Sequence, residues 1–208
     1  MKIEVINTSV VTLDCDALII NLFEGASALD GAASTINKAL DGNLAKIMQT
    51  QSDCGKYGNI RSLYSFGMLG AKNIILLGLG KREELTHDKI RALSAIALRE
   101  ANKLHSRTVA TIVHGAGSDN IESLTAVQAV IEGAILGTYQ FDHYKTQDVD
   151  PLHIETLMIV EPDENKTKQY NHVVNTAKII ADSVNFTRDL VNHPAAIVTG
   201  KQIGRAHV

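Results

Sequence analysis

The chain has 208 residues, 21% of them charged and 45% hydrophobic, and a net charge of −3. That is the make-up of an ordinary globular protein long enough to bury a sizeable core without staples. No long run of one charge sign is present, so a nucleic-acid partner is not expected. The longest apolar runs, such as residues 18–23, fall far short of the ~18 residues a membrane span requires.

Aromatic residues make up only 4% and Trp is absent, so the core is expected to be aliphatic and alanine-rich. Cys15 and Cys54 suit a reducing compartment and are expected to be free thiols. Met1-Lys2-Ile3-Glu4 lacks the apolar stretch of a signal peptide, and the expected location is cytoplasmic.

In chain order, residues 2–11 begin with the alternation of a half-buried strand. Residues 16–23 are continuously apolar, as in a strand buried on both faces. Residues 30–49 carry Ile36, Leu40, Leu44 and Ile47 at helical spacing, with Asp41-Gly42-Asn43 marking a kink or a division into two helices. Residues 59–80 read as two strands joined around 67–72. Residues 86–104 are an amphipathic helix with Thr86 as N-cap. A strand at 108–114, a helix from about 121 to 139 and a strand at 155–160 follow.

The last helix spans 165–192, with Tyr170, Val173, Val174, Ala177, Ile180, Ala181, Val184 and Val191 at the 3.6-residue period. At 1.5 Å per residue it is roughly 42 Å long, more than one small domain needs, so part of it is expected to pack on something else. The alternation predicts an α/β fold: a mixed, mostly parallel sheet of about six strands with helices on both faces, plus the long C-terminal helix as a connection.

Single motifs point to no chemistry. Gly78-x-Gly80 follows a strand, but Glu83 stands where a dinucleotide loop has its third glycine. Arg82 stands where a phosphate loop has Ser or Thr. The loop 114–120 has Asn120 in the third-glycine place and reads as a capped helix start. The eight histidines show no metal-ligand spacing, and most of them are expected at the surface or at helix ends. Residues 25–29 fail the nucleophile-elbow pattern at Leu29. Glu83-Glu84 and the pair Asp148/Asp150 read as solvated. Residues 139–145 (YQFDHYK) read as a helix end packing its rings on the core.

Three stretches together carry a resemblance: residues 76–86 (LLGLGKREELT), 139–145, and 185–200 (NFTRDLVNHPAAIVTG). They resemble the N-terminal part of the leucyl aminopeptidase (cytosol aminopeptidase) family. In the last stretch Arg188, Asp189, Leu190, Val191, Asn192, Pro194 and Thr199 match. Gly200 departs from the family's Pro, and His193 from a small residue.

The resemblance implies a macro-like α/β domain at 1–164, a connecting helix at 165–192, and at 193–208 the start of a catalytic domain that is missing here. It implies a parent enzyme that removes the N-terminal residue from peptides, using two divalent metals (Zn or Mn) to activate a water. The parent is expected to be a homohexamer, with this lobe architectural and in contact with its own catalytic domain and sister subunits. No catalytic or metal residue of the family maps onto this chain, so the 208 residues alone are expected to be inactive and without a cofactor.

Residues 16–40 also resemble the ADP-ribose-binding loop region of macro domains, through Asp16, Asn21 and Gly31. This gives an alternative role as a module for ADP-ribose or a related nucleotide. The glycine run is reduced to Gly31 followed by Ala32-Ala33, whose side chains are expected to obstruct a diphosphate.

Overall fold

The structure is a computed structural model describing residues 1–26, 28–50, 53–116, 121–147, 151–201 and 204. The loop positions 117–120, the Asp148/Asp150 pair and residues 205–208 therefore lie outside the described residues. Among the described residues six strands form one sheet, in the order β1-β6-β5-β2-β4-β3. These are β1 (Lys2–Ile6), β2 (Cys15–Leu22), β3 (Ile60–Tyr64), β4 (Ala71–Gly78), β5 (Thr108–Thr111) and β6 (Thr156–Val160). All pairings are parallel except that of β3 with β4.

Helices α1 (Gly31–Ala39) and α2 (Asn43–Thr50) cover one face; α3 (His87–Lys103), α4 (Ser123–Gly137) and α5 (Glu164–Asn192) cover the other. The mixed α/β fold with helices on both faces is as expected from the sequence. Its central strand β2 has Ala17, Leu18, Ile19 and Ile20 all fully buried, which is why that stretch is apolar without alternation.

Local signals explain the helix ends. Asp41 and Gly42 take left-handed backbone angles, with φ of 49° and 79°, and divide 30–49 into α1 and α2. The Thr86 hydroxyl accepts the Lys89 amide and starts α3. The Asp163 carboxylate accepts the amides of Asn165 and Lys166 and starts α5. That helix stops at Asn192 because His193 precedes a proline and is extended, at φ −72° and ψ 141°.

Two strands are shorter than the apolar pattern suggested. β1 stops at Ile6 and β5 at Thr111, because their pairing with β6 ends there. Val10 and Val113 are still buried, so apolarity beyond the ladder marks covered loop rather than strand.

The face covered by α3, α4 and α5 holds the larger part of the core. Gly133 lets α4 approach α3 so closely that an added Cβ would stand 2.1 Å from the Arg91 carbonyl oxygen. Beside it the buried Glu132 carboxylate accepts from Arg91 Nε and Gln128 Nε2, both at 2.7 Å. The ion pair thus sits where each charge has a hydrogen-bonded partner.

Candidate functional site

The carboxyl ends of β1, β2, β5 and β6 open into a cleft of about 760 Å³, within the range of small-ligand sites. It lies where β2 and β5 are neighbours but their onward connections diverge. β2 leads through α1 and α2 to the β3–β4 side, and β5 leads through α4 to β6. Such a switch point leaves a crevice that no crossover helix fills.

Its walls include Val10, Phe23, Ile112 and Val160, and its rim carries Asn7, Asn21, Thr35, Asp30 and Arg82. Asn7 Nδ2 donates to the carbonyls of Glu161 and Pro162, which ties the end of β1 to the end of β6. The Arg82 guanidinium lies 4.1 Å from the centre of the Phe23 ring and donates to Asp30 at 2.9 Å. Asp30 is the N-cap position of α1 but makes no side-chain cap bond. Glu161, the other carboxylate of the lining, accepts the Asp163 amide at 3.0 Å. The cleft thus combines apolar walls with charges at its mouth that are already engaged.

Beneath the cleft lies a residue to which the sequence reading gave no role. Most of the histidines are expected at the surface or at helix ends, but His114 is 1% exposed. Burial lowers its pKa from 6.5 to about 4, so the ring is neutral at pH 7. Asn21 Nδ2 lies 3.4 Å from His114 Nδ1, and His114 Nε2 lies 3.4 Å from Thr111 Oγ1. The Thr111 hydroxyl in turn donates to the Ile112 carbonyl. One tautomer satisfies this chain: Asn21 donates to Nδ1, and Nε2–H donates to Thr111. The polar end of Asn21 is thereby held in the cleft by a buried neutral imidazole. The run TIVH was the available signal, since the chain stays covered past the end of β5 and the histidine that closes the run is covered with Val113.

The residues singled out from sequence fall in different places. Asn21 and Gly31 both line the cleft. Asp16 does not belong with them: it is the second residue of β2, five residues and roughly 16 Å along the strand from Asn21. Its carboxylate accepts from Lys72 Nζ at 2.7 Å, from the amides of Arg107 and Thr108, and from the Thr108 hydroxyl. Burial acts to raise the Asp16 pKa, but these hydrogen bonds outweigh it and hold the carboxyl well below its ordinary value. Asp16 is a staple between β2, β4 and β5. Ala32 lines the cleft, whereas Ala33 is turned into the core, so only one of the two methyl groups expected to obstruct a ligand stands there.

The glycines of residues 78–83 serve chain packing. Gly78 donates to the Asn59 carbonyl, Gly80 donates to that of Gly55, and a Cβ on Gly78 would stand 2.0 Å from the Lys56 oxygen.

Residues 139–145 pack against the end of α5 rather than the core. The Tyr139 hydroxyl donates to Asp189 at 2.7 Å and accepts from Asn192 Nδ2 at 3.1 Å. Arg188 lies 3.9 Å over the Tyr139 ring and donates to the Leu136 carbonyl. The Tyr144 hydroxyl meets His193 Nδ1 at 2.6 Å. Pro194 begins the turn that follows, and Thr199 is exposed beyond it. Two segments of the sequence resemblance, some fifty residues apart, are therefore one clamp.

Among the described residues no group of three or more His, Cys, Asp or Glu side chains is placed to hold a metal ion. The donor set of a divalent-metal centre is thus not met by these residues. Among them, too, no helix is long and apolar enough to cross a membrane. Cys15 and Cys54 are both buried and free.

The family model described as "Cytosol aminopeptidase family, N-terminal domain" matches residues 19–148. A probable cytosol aminopeptidase of Alkaliphilus oremlandii is 32% identical over 200 residues, covering 96% of this chain and 40% of the relative. The chain spans about two-fifths of the length of the curated relatives it matches. Among solved structures, a mutant tomato leucine aminopeptidase is similar with a TM-score of 0.79 at 22% identity, over 98% of this chain and 40% of that one. A Trypanosoma brucei macrodomain in complex with ADP-ribose is similar with a TM-score of 0.67 at 16% identity, over 83% of this chain and 68% of that one. At these identities the two structures speak for the fold alone.

Proposed function

The chain belongs to the cytosol aminopeptidase family, and from that premise we propose that it serves as the non-catalytic N-terminal lobe of a larger aminopeptidase. In this reading the parent enzyme removes the N-terminal residue from peptides. Its two divalent metals, Zn or Mn, would be held outside these residues and would activate the attacking water. The lobe's part is architectural: it braces the catalytic domain and takes part in a homohexamer.

The observation that carries this reading is α5. It is fixed by the buried Tyr170, Ala177 and Ala181, while Ile179 and, further towards its end, Val184, Phe186 and Val191 stand exposed. Large apolar side chains left exposed towards a helix end are explained by more protein packed on them. The test is hydrolysis of leucine-p-nitroanilide by the purified 208-residue chain with Mn²⁺. No release of nitroaniline above the buffer rate is expected, and metal-dependent turnover by this chain sinks the proposal.

A second reading is favoured by one observation, the cleft that gathers Asn21 and Gly31 at the strand ends. It is a module for ADP-ribose or a related nucleotide, the ligand class held by the similar macrodomain. The one remaining methyl group, Ala32, leaves room for a ligand that does not press on the backbone. Titration calorimetry with ADP-ribose decides it: absence of heat at millimolar ligand removes the idea.

A further inference from the structure

The cleft lies at the carboxyl ends of the parallel strands; a different cluster lies at their amino ends. His105 follows α3, His153 leads into β6, and Nδ1 of the first ring stands 2.9 Å from Nε2 of the second. The rings are T-shaped, with centres 4.6 Å apart. No spacing in the sequence announces this pair, because the sheet makes it. β5 and β6 run parallel with Thr108 beside Thr156, and each histidine stands three residues before its threonine. The register of the ladder thus carries two imidazoles, 48 residues apart in the chain, to one spot.

The surroundings fix the pair. Asn102 is 8% exposed. Its main-chain carbonyl accepts the His105 amide at 2.9 Å, and its side-chain oxygen accepts the His153 amide at 2.7 Å. Its side-chain nitrogen donates to the Pro151 carbonyl. One buried residue therefore sets both histidine backbones, as the residues behind a metal ligand do. His105 itself sits at φ +53°, the left-handed position that closes a helix and is usually given to glycine or asparagine. A strained residue whose ring meets a second imidazole points to a use for the pair.

We propose that His105 Nδ1 and His153 Nε2 form a two-imidazole site for a divalent transition-metal ion of the nickel or copper type. Imidazole is a preferred donor for such ions. Between the two rings one nitrogen donates and the other accepts; the same atoms both face an ion once the donating ring carries its proton on its other nitrogen. An ion at ~2.0 Å from each nitrogen, the usual metal–imidazole length, sees them about 90° apart at this separation. That is the angle of square-planar or tetragonal coordination rather than of tetrahedral structural zinc. His105 is exposed and His153 half-buried, so the ion enters from solvent. Among the described residues no third His, Cys, Asp or Glu joins them in a group able to hold an ion, so water completes the shell. The cations nearest in the chain do not oppose the charge: Lys103 is paired with Glu100 and Arg107 with Glu155. The site is separate from the cleft and from the two metals proposed for the parent enzyme.

Titration calorimetry of the 208-residue chain with Ni²⁺ tests the site, with electron paramagnetic resonance of the Cu²⁺-loaded chain as a second readout. One Ni²⁺ per chain is expected, and Mn²⁺, which prefers oxygen donors, should not displace it. His105→Asn keeps a residue suited to the left-handed turn and should raise the dissociation constant at least about tenfold. His153→Gln should do the same. His143→Gln, in another close pair of histidine rings, should leave it unchanged. The Cu²⁺ signal should be axial and split by two ring nitrogens, and either site variant should remove that splitting. Absence of heat at millimolar Ni²⁺ overturns the proposal. So does binding indifferent to His105→Asn or His153→Gln, binding weakened equally by His143→Gln, displacement by Mn²⁺, or a Cu²⁺ signal without the two-nitrogen splitting. Neither peptide hydrolysis nor ADP-ribose enters these readouts, so the outcome is independent of both functional readings above.

Discussion

Helices α4 and α5 lie side by side on the same face of the sheet, yet they are governed by different surroundings. α4 is roofed by α3 on one flank and α5 on the other, and its buried residues include Ala126, Val130, Ile131, Glu132 and Gly133. α5 is almost twice as long but buries only Thr167, Tyr170, Ala177 and Ala181. Its last turns touch the rest of the molecule mainly through the polar clamp on Tyr139. The difference teaches that an apolar stripe at helical spacing predicts a helix and a preferred face, not a partner. Val191, in that stripe, is 80% exposed.

The widest separation between the two helices comes from steric change. Gly133→Val drives methyl groups into the α3 backbone and should cost more than about 3 kcal/mol in urea unfolding. A cost near zero would mean that α4 is not packed as described. Acid acts on the packed region next. His114 has a folded pKa of about 4 against 6.5 unfolded, so its contribution is complete above pH 6.5 and disappears as the pH falls through 4. Stability should drop by about 3 kcal/mol over that window. In His114→Gln this part of the pH dependence should flatten, and an unchanged profile would show that the imidazole is not buried neutral.

A smaller effect is expected at the clamp. Tyr139→Phe removes the hydroxyl shared by Asp189 and Asn192, and amides of residues 185–192 should exchange about fivefold faster, equivalent to about 1 kcal/mol. Equal acceleration in α4 would contradict the independence of the two regions. Smallest of all, Val191→Ser should change the stability of this chain by less than about 0.5 kcal/mol. A larger loss would mean that the end of α5 is covered already.

Much of the fold was legible because local chemistry decides it. Thr86 caps α3, Asp41-Gly42 divides α1 from α2, and Pro194 ends α5; each acts within a turn of its own position. Strand order, the antiparallel setting of β3 and the close approach at Gly78 were not legible, because each depends on segments distant in the chain. The cleft shows both cases. Asn21 and Gly31 were picked out by motif and do share it, whereas Asp16, matched by the same motif, is at the wrong end of β2. Motif spacing along a strand says nothing about which end faces a crevice. His114 was missed because a polar residue after an apolar run reads as a boundary, while here its hydrogen-bonding needs are met inside.

α5 also has a mechanical meaning. Glu161 and Pro162 form part of the cleft wall, Asp163 caps the helix directly after them, and the other tip carries His193 against Tyr144. A helix resists stretching along its axis, so these two places are the ends of a single strut roughly 43 Å long. Whatever pulls on the far tip pulls, through that rod, on the rim of the crevice at the other end of the molecule.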